Sequence, residues 1–425
     1  MSTSFNWFTG VANINLPCPR ELRGGPGLLA FYAAPNNDAW GPDLPRWLYH
    51  ESLHFWQLVS SSHLQQLVAS EWDRVLAFEA NGVPPPASPI RTSYARRGAG
   101  EPFSVRELVE CLARFWDVMT RGSHRLIREE GDTLQGRLAE IERERQQRGN
   151  DEQSQWEFDA FMSGGRDQGS YGAPYVWMRE RARSSSLIAG VGDVAAIWAV
   201  MLFLPIAGRL ALNTASPVAS FIAAFDAALK PVALQKTMDR RNQQLSIHRE
   251  WLGQWNAVET TMCDALGLDG VPIGETKLGV LSKHPVYRHL GNRAESMGMS
   301  IGSFANEYRA GRMGPLTPVQ AANLPHEVYL ALDCPWAVLA LPGQPAYRWL
   351  IGGVLAPPLT RFLDVDLPAT GQVFPTLPWP IPESELVAAV HDCETRHGAL
   401  QRAEAALKFG LPQGAFTHTP GGMPA

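Results

Sequence analysis

The sequence predicts a mainly α-helical protein with a small β element near its N-terminus. Three observations lead there. Most segments space their apolar residues at the helical period and are punctuated by Ser, Asp, Gly and Pro at their ends. Only the front, with "FNWFTGVANINL" and "GLLAFYAA", has the β-branched and aromatic content of short strands. Finally, 45% of the residues are hydrophobic against 19% charged, so the 425-residue chain has ample material for an interior and is unlike a disordered polymer.

In chain order, the strand-like front gives way to "APNNDAWGPDLP". Asp43 as N-cap and Pro45 in the first turn then start a helix expected to run to about Ser70. "NGVPPPASP" (Asn81–Pro89) breaks the chain, and a second helix begins at Ser104. Residues 122–150 are charged enough to read as an exposed helical arm. Helices are expected from Tyr175 to about Arg209, from Pro217 to Leu229 and from Pro231 to about Leu266, followed by a mixed region punctuated by Gly and Pro. A last amphipathic helix, "ESELVAAVHDCETRHGALQRAEAALKF", precedes a frayed "TPGGMPA". The expected division is a core at 1–121, the arm at 122–150, a helical domain packing on the core at 151–366, a Pro-rich linker at 367–383, and a C-terminal helix and tail at 384–425. The string "LPATG" in that linker matches a sortase sorting signal by coincidence, because no hydrophobic stretch and basic tail follow it.

Composition excludes several classes. A net charge of −5 gives no basic field for nucleic acid. The longest apolar run, "VAAIWAVMLFLPIAG" (Val194–Gly208), is shorter than the ~20 residues of a membrane span and contains Pro205, so a buried helix is expected. "MSTSFNWFTGVANINLP" has neither a basic nor an apolar signal region. Five cysteines without a CxxC pair favour reduced thiols, so a cytoplasmic setting is expected.

The chemistry lies in "LYHESLHFWQ" (Leu48–Gln57), which contains His-Glu-x-x-His. On a helix His50 and His54 share one face and can present imidazoles to one cation. Glu51 is rotated by about 100° and can instead take a proton from a metal-bound water. The string does not continue as in the metzincins, since Gln57 and Ser60 stand where those enzymes have Gly and a third His. His63, nine residues past His54, points away if the helix is continuous.

A third ligand must come from another segment. In "PFSVRELVECLARFWDVM", Glu107 has an ordinary role as the partner of Ser104 in a capping box. Glu110 has none. It sits among Val109, Cys111, Leu112 and Ala113 and needs a cation, either Arg114 at i+4 or a metal. The small Ala113 would let two helices approach.

With His50, His54 and Glu110 as ligands and Glu51 beside them, the segment from Trp47 to Trp116 resembles the gluzincins, the thermolysin-like zinc metallopeptidases. The Asn-Glu-x-x-x-Asp context of that family is replaced here by "LVECLAR". The chain is also similar to bacterial proteins of unassigned activity that carry His-Glu-x-x-His-x-x-Gln and a later Glu-x-x-Ala helix. The resemblance implies a zincin-like helical core, a bound Zn2+ and a peptide or protein substrate. It also implies hydrolysis by metal-activated water, with Glu51 as general base. An oxyanion donor is expected as well; Tyr171, Tyr175 and His326 are candidates, and Tyr175 is carried forward.

Three other readings use the same residues. A non-haem Fe2+ oxygenase would take the two histidines and Glu110 as its facial triad. A di-iron bundle would add Glu394-Thr-Arg-His397 as a second Glu-x-x-His motif. A non-catalytic interaction protein would use the arm at 122–150 to dock a partner.

Overall fold

In a computed structural model of the protein, the described residues are 4–14, 17, 47, 50–51, 53–55, 57–58, 61–119, 125–128, 152–164, 172–185, 193–229, 255–268, 278–288, 328–331, 334–339, 348–351, 359–362, 374–375 and 383–409. The fold is mainly helical with a small β element that includes the N-terminus, as the sequence predicts.

That element starts as a hairpin. β1 (Ser4–Asn6) and β2 (Val11–Ile14) pair antiparallel, with Ser4 opposite Asn13. The Asn6 side-chain oxygen closes the turn by accepting the N–H groups of Phe8 at 3.0 Å and Thr9 at 3.3 Å. Gly10 completes it at φ 69°, a left-handed conformation that glycine adopts without strain. The Tyr287 hydroxyl then donates to the Trp7 carbonyl at 2.6 Å, which pins the turn to a distant part of the chain.

The helix expected from Asp43 to about Ser70 is in fact two. The described positions between Trp47 and Leu58 are helical, but Ser61 is extended (φ −117°, ψ 112°) and caps a new helix, α1 (Ser62–Asn81), by accepting from the Leu64 N–H at 3.1 Å. The break has a tertiary cause. The Leu212 carbonyl accepts both the Ser61 hydroxyl (2.7 Å) and the His63 N–H (3.2 Å), while the Asn213 side chain accepts the Ser62 N–H (3.1 Å). One helix's spare acceptors thus satisfy another's spare donors. α1 runs past the end expected near Ser70, as far as the break expected at Asn81–Pro89, where Gly82 at φ 67° returns its N–H to Phe78.

α2 (Val105–Met119) begins where the capping box puts it. The Ser104 N–H donates to Glu107 at 2.7 Å, and the Glu107 N–H donates to the Ser104 hydroxyl at 3.2 Å. Next come β3 (Arg125–Arg128), α3 (Glu152–Ser163), α4 (Ala173–Ser184), α5 (Asp193–Ala211), α6 (Pro217–Ala228) and α7 (Trp255–Ala265). α5 contains the long apolar run and is central, packing against α2, α3, α4, α6 and α7. Its described side chains between Ala195 and Ala211 are buried, which is the buried helix expected. No described helix is long and apolar enough to cross a membrane. α5 and α2 come so close at Gly208 that a β-carbon there would lie 2.5 Å from a Leu112 methyl.

Two expectations are corrected. Arg125–Arg128, inside the segment read as a helical arm, is a strand; residues 122–124 and 129–150 of that segment lie outside the described residues. The region read as a helical domain to 366 turns to sheet in its last part, as β4 (Val328–Ala331), β5 (Cys334–Leu339), β6 (Arg348–Ile351) and β7 (Leu359–Phe362). β3, β6, β5 and β4 form one antiparallel sheet in that order. The other sheet runs β1-β2-β7-β8, with β8 at Phe374–Pro375. In it β2 and β7 pair parallel, Val11 opposite Leu359 and Ile14 opposite Phe362. Strand β3 was illegible because its pairing partner lies more than two hundred residues on, at Arg348–Ile351. The last helix, α8 (Glu383–Phe409), matches the expected segment and lies against α1.

Candidate metal centre

The motif helix buries Leu53, Phe55 and Leu58, which orients it against the core. His50 and His54 then share one face, their ring centroids 4.9 Å apart and their planes perpendicular. The capping box fixes the start of α2, and Arg97 clamps Glu107 with bonds of 2.9 and 2.6 Å. One turn on, α2 presents Glu110 to the two imidazoles.

A single oxygen, Oε2 of Glu110, lies 3.3 Å from Nε2 of His50 and 3.3 Å from Nε2 of His54. The three donor atoms all fall within 4.8 Å of one another, the one such group of three among the described residues. Arg114, the alternative partner for Glu110, has its guanidinium over the Phe161 ring at 4.6 Å. Donors around a tetrahedral zinc stand roughly 3.3–3.6 Å apart when each bond is ~2.0–2.2 Å, a spacing that the two Glu110–imidazole separations match. The His54 side chain is 4% exposed, whereas His50 is 23% and Glu110 18% exposed, so the group is closed on the His54 side and opens towards solvent on the other.

Electrostatics bind the group together. Burial works against charge on His54, but the Glu110 carboxylate at Nε2, the charge of Glu51 and the Gln57 bond outweigh it and raise the pKa to about 9. Burial likewise opposes ionisation of Glu110, yet the two imidazoles hold it well below the usual carboxylate range. Glu51 is buried and acts on His54 through its charge, but it is outside the donor group, as its rotation around the helix requires.

Two residues near the site were given no role from sequence. Gln57 is buried, with Oε1 2.9 Å from Nδ1 of His54 and Nε2 donating to the Val109 carbonyl at 3.0 Å. Its spacing of three from His54 was the available signal. Trp7, from the pinned hairpin turn, lies 5.4 Å from the His54 ring and 5.7 Å from that of Tyr94. Nothing local could have announced it.

Tyr175, expected as the oxyanion donor, is held elsewhere. It is buried in α4, and its hydroxyl donates to Asp159 at 2.6 Å, while Arg179 grips the same carboxylate at 2.6 and 2.7 Å. Burial and the Asp159 bond push its pKa up, and the structure does not join it to the three donors. Tyr171 and His326 lie outside the described residues. His63 is also elsewhere: the break at Ser61 removes the continuous helix on which its direction was judged, and its backbone bonds to Leu212.

The second Glu-x-x-His motif does not meet the first. Glu394 accepts from Arg361 at 2.9 and 3.1 Å, and His397 contacts Glu71. That removes the pairing a di-iron bundle needs. No protein-family model, curated protein or solved structure matches the chain.

Proposed function

We propose that the chain is a zinc-dependent hydrolase of a peptide or amide bond, gluzincin-like in its ligand set. The observation that carries this is the single Glu110 oxygen 3.3 Å from both Nε2 atoms, two imidazoles and a carboxylate being a three-protein-ligand set that leaves a position open. His50, His54 and Glu110 would hold the ion. When bound, it would supply an acidified water and polarise a carbonyl.

The rest is work for side chains of this chain. Glu51 takes a proton from the attacking water and passes it to the leaving nitrogen. Its burial beside His54, close enough for its charge to act on that ring, supports that role. Trp7 and Phe5 cover the His54 side and exclude water there, leaving approach from the His50 and Glu110 side. The Fe2+ oxygenase uses the same three donors but gives Glu51 no task, so the buried glutamate favours hydrolysis.

The test is Glu51→Gln, assayed on a mixed peptide library by mass spectrometry after loading with zinc. The variant is expected to keep its zinc and lose about 10²- to 10⁴-fold in hydrolysis rate, the usual worth of a general base. Undiminished hydrolysis would overturn the reading. So would turnover that depends on iron and oxygen.

A further inference from the structure

We propose that Gln57 is a positioning residue that sets the metal affinity of the His50–His54–Glu110 group by holding His54 in one tautomer. The inference rests on the reading of those three residues as metal ligands.

The argument begins with a carbonyl. The Val109 oxygen can only accept, so the Gln57 group 3.0 Å from it must be the NH2 end of the amide. The other end, 2.9 Å from Nδ1 of His54, is therefore the amide oxygen, which also only accepts. Nδ1 must then carry the proton. A neutral imidazole with its proton on Nδ1 has its lone pair on Nε2, the atom that faces Glu110 at 3.3 Å. One backbone carbonyl thus dictates, through one side chain, which nitrogen of His54 can bind a cation.

Burial makes this binding. Gln57 and His54 are both almost wholly inside, so no water competes to turn the amide or the ring. The same bridge spans the two segments that supply the ligands, because Val109 immediately precedes Glu110 on α2. His50 is more exposed, so the deep histidine is the one whose ring orientation needs support.

Two substitutions separate this role from simple packing. Gln57→Leu has similar bulk but cannot accept from Nδ1. Gln57→Glu still accepts from Nδ1 while losing its donor to Val109. Zinc affinity would be measured by chelator competition, cobalt-substituted protein by its visible spectrum, and the His54 tautomer by nitrogen NMR of the metal-free protein well above pH 9, where the ring is neutral.

The expected result is a zinc affinity lowered about 10- to 100-fold in Gln57→Leu, a changed cobalt spectrum, and loss of the fixed Nδ1–H signal. Gln57→Glu is expected to keep wild-type affinity and the Nδ1–H tautomer even if it melts at lower temperature. Wild-type affinity in Gln57→Leu would overturn the inference, as would equal losses in both variants, which would make Gln57 a strut between helices. If the unaltered protein binds no zinc, the metal reading itself fails, and the inference falls with it.

Discussion

His397 Nε2 lies 2.9 Å from Oε1 of Glu71, so the C-terminal helix α8 is fastened to α1 through a carboxylate that is almost wholly enclosed. Arg74 reaches both Glu71 oxygens at 2.9 Å and also pairs with Glu404 of α8, and Ser88 donates to Glu71 at 2.6 Å. Burial resists charge on Glu71, but the bonds from His397, Ser88 and Arg74 lower its pKa from 4.5 to about 2. A carboxylate with a depressed folded pKa stabilises fully above its unfolded value and loses that contribution as pH falls through the folded one. Docking of α8 should therefore weaken as pH drops from about 4.5 towards about 2. Thermal unfolding of Glu71→Gln against wild type should show a deficit of about 2 kcal/mol at pH 6 that shrinks by pH 3.

Zinc should act as a stabilising ligand whatever the substrate. At a free concentration a hundred times its Kd it should add about 2.7 kcal/mol to the folded state, seen as a higher melting temperature that a chelator reverses. His50→Ala, His54→Ala and Glu110→Ala should each abolish the zinc-dependent rise, which scanning calorimetry with and without metal would check.

The capping box at the start of α2 should be worth a measurable amount. Ser104→Ala removes the acceptor for the Glu107 N–H and should cost about 1 kcal/mol in denaturant unfolding. Because α2 also carries Glu110, fraying there should weaken zinc binding as well, whereas a matched loss of stability at Gly82 should not.

Gly208 predicts a steric effect with a built-in control. Gly208→Ala places a methyl against the Leu112 side chain and should cost about 1–3 kcal/mol through overpacking. Combining it with Leu112→Ala should cost less than the sum of the two single changes, as a double-mutant cycle would measure.

How much of this was legible depended on how local each cause is. Ser104 and Glu107 make a capping box within four residues, and the structure contains it as read. His50 and His54 follow from helical spacing, and Glu110 was marked as a carboxylate in an apolar stretch without a job of its own. The break at Ser61 was invisible because its cause is the Leu212 carbonyl, 151 residues away. Arg125–Arg128 reads as a charged helix until β6 pairs with it. Tyr175 was carried forward as the oxyanion donor, but α4 and Asp159 hold its hydroxyl. Gln57 was the missed opportunity, since a polar side chain three residues from His54 is a signal that sequence does contain.

The parallel pairing of β2 with β7 ties residues 11–14 to residues 359–362. A two-stranded hairpin is marginal by itself in water, so as the chain leaves the ribosome β1 and β2 wait without their neighbour until residues 359–362 have been made. The turn that sets Trp7 beside His54 is thus completed only after those distant residues exist. Truncated products would carry the histidine motif without its finished aromatic cover.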